Sequence, residues 1–126
     1  MKELIYIFIG GGIGSTARYL TQIFINKQMS TSLFPFSWGT FCVNIIGCLL
    51  IGLFYSLSER FNLSLELRLL LTVGLCGGFT TFSTFSNDGL SLIEGHFYGT
   101  FILYTLLSIG LGLVAVLAGG YLGKQI

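Results

Sequence analysis

The sequence predicts an all-α membrane protein with four transmembrane helices, the third broken near its middle, forming one domain over residues 1–126. Three observations predict it. Charged residues are 9% of the chain and apolar ones 53%, against roughly 25% charged in an ordinary soluble domain, and the mean hydropathy is +0.87. Residues 28–58, 69–87 and 95–123 carry no Asp, Glu, Lys or Arg at all, and a helix needs about 20 largely apolar residues to cross the hydrocarbon. Finally, a Gly-Gly pair and a run of hydroxyl residues interrupt the third apolar stretch. So few charges cannot solvate the surface of a soluble domain. One Pro, no basic run and a net charge of +1 also exclude disordered tails and nucleic-acid-binding modules.

The first span, 4–26, holds a single charge, Arg18. Lys2 is followed by Glu3 and no small-x-small pattern closes the apolar run, which argues against a cleaved signal peptide. Gly10 and Gly14 lie four apart, the spacing that lets helix backbones approach closely. Residues 30–36 read as a loop, with Pro35 just ahead of the second span, 37–58. Thr40, Asn44 and Gly47 share one face of that span. A polar loop at 58–64 leads to the third span, 67–94, and Glu94-Gly95-His96 is a tight reversal into the fourth, 98–123. There Thr100, Tyr104 and Ser108 recur at helical spacing. Lys2, Arg60, Arg68 and Lys124 fall on one side of the membrane, and Lys27 with Arg18 toward the other. That balance favours cytoplasmic termini. Cys42, Cys48 and Cys76 lie inside spans with no CxxC or Cys/His metal spacing, and read as small apolar packing residues.

The third span carries the chemistry. Gly77-Gly78 followed by Thr80, Thr81, Ser83, Thr84 and Ser86 suits two half-helices joined by an unwound stretch around 77–81. Backbone unwound at membrane depth survives only where protein or a cavity meets its N–H and C=O groups. The freed carbonyls are the oxygen ligands a small cation uses. Beyond the break, Phe82 and Phe85 fall on one side of a helix, and Ser83, Thr84 and Asn87 on the other. Asn44 is the telling polar group of the second span, because an amide in hydrocarbon is costly without a partner. No carboxylate lies inside a span except Asp88 and Glu94 near the end of the third. The available groups are mostly donors: hydroxyls, the Asn44 amide, the Tyr104 phenol and the Arg18 guanidinium. Aromatic ring edges are partly positive too. This chemistry points toward a small anion.

Residues 10–19, 39–47 and 74–86 closely resemble the Fluc (CrcB) fluoride channels, and the likeness extends over essentially the whole chain. The resemblance implies an antiparallel, dual-topology homodimer in the cell (inner) membrane, with two pores that passively export cytoplasmic fluoride and relieve its toxicity. It implies that Asn44, Phe82, Phe85, Ser83, Thr84, Tyr104 and Ser108 line the pore and that Arg18 is a vestibule residue. It also implies that the backbone carbonyls of Gly77 and Thr80 from both subunits hold a structural sodium ion. The partners implied are fluoride, lipid and a second copy, with no nucleic acid. The alternatives are a small multidrug-type proton-coupled exporter, which needs an intramembrane carboxylate early in the chain, and a purely structural subunit. No nucleophile–base or metal constellation supports an enzyme.

Overall fold

The structure, a computed structural model, describes residues 1–30 and 34–126, so the middle of the expected 30–36 loop lies outside the described residues. The elements run α1 (Lys2–Gln28), α2 (Trp38–Arg60), α3 (Leu65–Leu69), a π-helical segment (Leu70–Cys76), α4 (Gly77–Phe79), α5 (Phe82–Glu94) and α6 (Tyr98–Gln125). No strand occurs among the described residues. The four expected spans are therefore present as helices.

Three of them are long and apolar enough to cross a membrane: Trp38–Arg60, Leu65–Glu94 and Tyr98–Gln125. The helix α1 has the length, 27 residues, but is not among them. Ser15, Thr16, Arg18, Thr21 and Gln22 dilute its apolar content.

Local chemistry places the ends. Glu3 lies in the first turn of α1 and Lys27 in its last, each sign matching the helix dipole. Ser64 caps α3 by accepting from the Leu67 N–H at 3.2 Å. Two of the turns that reverse the chain, those fully within the described residues, use left-handed residues, Asn62 (φ 50°) and His96 (φ 63°). Asn tolerates this conformation well. At the second reversal the left-handed residue is His96 while Gly95 keeps φ −83°.

The core is small and the exterior apolar. Val43, Tyr104 and Cys76 are the large fully buried side chains, while Phe8, Leu113 and Leu117 stand exposed. Lipid tails are as apolar as these side chains, so helices associate through close packing of small residues. Two helix pairs do this. A Cβ on Gly52 would overlap the Val116 carbonyl, and one on Gly119 the Leu49 carbonyl, which fixes α2 against α6. On the other side a Cβ on Gly10 would overlap the Leu70 carbonyl and one on Gly14 the Leu75 carbonyl. The two glycines are four residues apart and their carbonyl partners five. One α-turn of α1 is thus matched to one widened π-turn of the third span.

Candidate functional site at the break in the third span

The break is narrower than the sequence suggests. Gly77 and Gly78 stay helical, and only Thr80 (φ −86°, ψ 159°) and Thr81 (φ −150°, ψ 118°) are extended. The glycines serve other purposes. A Cβ on Gly78 would stand 2.5 Å from the Gly11 carbonyl oxygen, so this residue seats the third span on α1. Around Gly77 the space is open, the nearest atom being the Thr72 carbonyl oxygen at 3.9 Å from such a Cβ.

Extended backbone at two residues deprives the carbonyls of Gly77 and Gly78 of their i+4 helical partners. Three side chains bond to backbone groups around the break, the Gly78 carbonyl among them. The Asn44 amide makes a two-point clamp on Thr81. Its Oδ1 accepts from the Thr81 N–H at 2.8 Å and its Nδ2 donates to the Thr81 carbonyl at 3.1 Å. That complementarity fixes which end of the amide is which, and it leaves one amide N–H beyond the clamp. Arg18 Nε donates to the Gly78 carbonyl at 3.0 Å, bringing a positive charge to the carbonyl end of the first half-helix. Thr81 itself caps α5: its Oγ1 accepts from the Thr84 N–H at 3.2 Å and donates to Thr84 Oγ1 at 3.1 Å. Thr80 turns its hydroxyl back onto the Cys76 carbonyl at 3.0 Å.

Beside the break lies a cavity of about 360 Å³ walled by α2, the third span and α6. Of the residues expected in the site, it brings together Asn44, Gly77, Thr80, Phe82, Phe85 and Ser108. Arg18, Ser83, Thr84 and Tyr104 do not line it. Ser83 is exposed, with its hydroxyl 3.3 Å from Thr81 Oγ1. Tyr104 is fully buried behind the cavity, where its hydroxyl donates to Asp88 Oδ2 at 3.3 Å. Its ring packs against Phe85 at 5.1 Å between centroids, and Phe85 continues to Phe82 at 5.9 Å. Phe82 is 79% exposed. No Lys, Arg, Asp, Glu or His lines the cavity. The Ser108 hydroxyl on its wall is buried without a hydrogen-bond partner, which is a costly state for a polar group.

Sequence reasoning missed Cys48 and Ile51 of α2, Cys76 of the third span and Ile109 of α6, which with Gly47 and Thr81 complete the wall. The signal for the first two was there, since Cys48 and Ile51 continue the helical face that starts at Asn44.

Residues 5–120 match the family model described as CrcB-like protein, Camphor Resistance (CrcB). The chain belongs to the CrcB family. It is 73% identical over 125 residues to a protein of Bacteroides fragilis named fluoride-specific ion channel FluC, covering 99% of this chain and 98% of that one. Proteins of the same name from Phocaeicola vulgatus and Flavobacterium psychrophilum are 50% and 46% identical, covering 98% and 100% of this chain and the whole of each relative. The family is one of channels, not enzymes, and this CrcB chain is a multi-pass membrane protein.

Proposed function

We propose that the chain is a passive fluoride channel that lets cytoplasmic fluoride leave down its gradient, working as an antiparallel homodimer with two pores in the cell membrane. The observation that carries this reading is the helix break opening onto an uncharged cavity whose polar groups are donors. Fluoride is small and strongly hydrated, so a site must replace its water with several donors at once. The second amide N–H of Asn44, the unpartnered Ser108 hydroxyl and the ring edges of Phe82 and Phe85 supply them. The N-terminus of α5 points its partial positive charge at the same place. A fixed cation inside the narrow part would hold the anion too long for rapid exit, and the cavity has none. Rings at Phe82 and Phe85 that narrow the path exclude larger chloride by size.

Ser83, Thr84, Tyr104 and Arg18 take roles one step removed. Thr84 and Ser83 extend the hydroxyl track from Thr81 along α5. Tyr104 backs Phe85. Arg18 neutralises the carbonyl end of the break at the approach to the cavity.

The carbonyls of Gly77 and Thr80 fit a sodium ion as ligands: they are hard oxygens at the negative end of a half-helix, and the space beside Gly77 is open. One chain offers too few such oxygens, which suits an ion shared with a second copy. When bound, the ion supplies positive charge that ties the two breaks together.

The cavity wall has no carboxylate, which disfavours the proton-coupled exporter. The test is fluoride efflux from liposomes under an imposed potential. We expect fluoride flux without chloride flux, unchanged by a proton gradient, and at least a tenfold loss in a Phe82→Ile, Phe85→Ile double variant. Wild-type flux in that variant would remove the rings from the path, and no flux in the unmodified protein would sink the channel reading.

A further inference from the structure

The cavity contains a pair of groups that an anion path does not use, the thiols of Cys48 and Cys76. They come from different elements, α2 and the π-helical segment. These elements pack antiparallel with a register visible in the contacts: Asn44 meets Thr81, and a Cβ on Gly47 would overlap the Thr80 methyl. One residue further along α2, Cys48 is carried toward the level of Cys76 below the break. Both are free. The third cysteine, Cys42, lies outside the cavity wall. It is six residues from Cys48, on a different face of α2.

We infer that Cys48 and Cys76 form a two-coordinate site for a soft divalent metal ion, of the Hg(II) type, in the wall of the cavity. The ligand set selects the metal. Thiols prefer soft ions, and no third His, Cys, Asp or Glu joins them, since no group of three exists among the described residues. Only an ion content with two ligands, in linear geometry, is satisfied. Charge selects it further. Each thiol loses its S–H bond and gains an S–metal bond, and two protons leave to water. No electron moves. The product, a divalent ion with two thiolates, is neutral, and neutrality is what a poorly hydrated cavity tolerates. A monovalent soft ion would leave a net negative charge. Once bound, the ion staples α2 to the third span beside Asn44 and narrows the cavity.

This inference does not need the fluoride reading, and its test has two independent readouts. Mercuric acetate is titrated into the purified chain while the ultraviolet Hg–thiolate charge-transfer band is followed, with intact mass measured afterward. The same titration is run on fluoride efflux from liposomes, scored as the fractional inhibition of each variant against its own untreated rate. We expect the band to saturate at one Hg per chain in Cys42→Ser, where no third thiol competes for the metal. Retention against a competing monothiol should fall at least tenfold in Cys48→Ser and in Cys76→Ser. Efflux inhibition should follow the same pattern and reverse with dithiothreitol. Cys48→Ala and Cys76→Ala repeat the experiment with the other small side chain, and variants are compared only where their helical circular dichroism matches the unmodified protein. Two mercury atoms per chain in Cys42→Ser, or sensitivity lost with Cys42 instead, overturns the site. A one-to-one band without inhibition supports the site and counts against conduction through this cavity.

Discussion

The two halves of the third span are held in opposite ways. The half before the break, Leu65–Phe79, is fitted to α1 backbone against backbone, with Gly10, Gly14 and Gly78 at the contacts. The half after it, α5, meets its neighbours through side chains: Leu92 is buried in the core around Phe36 and Tyr104, and a Cβ on Gly89 would stand 3.1 Å from the Phe101 ring. Phe82, at its first position, is mostly exposed. The first half therefore fixes where the chain breaks, and the second displays the groups that do chemistry there. Side chains alone would not suffice for the first task, because they can change rotamer, while glycine contacts leave the backbone no room to slide.

The sharpest way to break this contrast is to add bulk to the first half. Gly14→Val or Gly78→Val puts branched carbon where a carbonyl oxygen of the neighbouring helix stands. The expected cost is about 3 kcal/mol or more. The measurement is thermal denaturation in detergent, with Gly12→Ala beside it, since a Cβ at Gly12 meets nothing within 4 Å. Equal melting temperatures in all three would show that the backbone contact does not hold the first half in place.

The clamp between the halves comes next in size. Asn44→Ala removes both bonds to Thr81 and leaves a backbone N–H and C=O in a poorly hydrated place, a loss of about 1–3 kcal/mol for each orphaned group. Fluoride efflux should fall at least tenfold. Asn44→Asp keeps the acceptor for the Thr81 N–H but loses the donor and adds negative charge to an uncharged cavity. It should regain part of the stability and none of the flux. If Asn44→Asp conducts as the unmodified protein does, the amide donor is not needed by the anion.

How much of this was legible in advance depended on whether the cause was local. The spans were readable because a run without charges is a local property, and so was a break followed by a helix start at Phe82, since hydroxyl residues favour caps over helix interiors. The glycine pair misled. Gly77-Gly78 looks like unwound chain, yet both residues are helical and Gly78 is there for α1, a contact no window of sequence contains. The π-helical segment was invisible for the same reason, as it answers the spacing of Gly10 and Gly14 on another helix. Asn44 was marked as a group needing a partner, but its partner lies 37 residues away, and nothing local says that both ends of the amide serve one peptide unit. Arg18 was expected at a vestibule, and no window of sequence showed that its Nε would reach the Gly78 carbonyl, 60 residues away.

The smallest effect tests whether the second half needs its own anchor. Thr81 is the N-cap of α5, accepting from the Thr84 N–H and donating to the Thr84 hydroxyl. Thr81→Ala leaves that N–H without its cap, at a cost of about 1 kcal/mol, and Thr81→Ser should restore nearly all of it because the hydroxyl is what matters. The first turn of α5 carries Phe82 and Phe85, so fraying there loosens the rings without disturbing the Asn44 clamp, which uses only the Thr81 backbone. Flux in Thr81→Ala should therefore drop severalfold, less than in Asn44→Ala, and recover in Thr81→Ser. The relative permeability to chloride should rise in Thr81→Ala, because a less rigid ring pair is a poorer size filter. A Thr81→Ala protein with unchanged flux and unchanged chloride exclusion would mean that the side-chain packing of α5 on α6 positions the rings by itself, and that the two halves differ less than their contacts suggest.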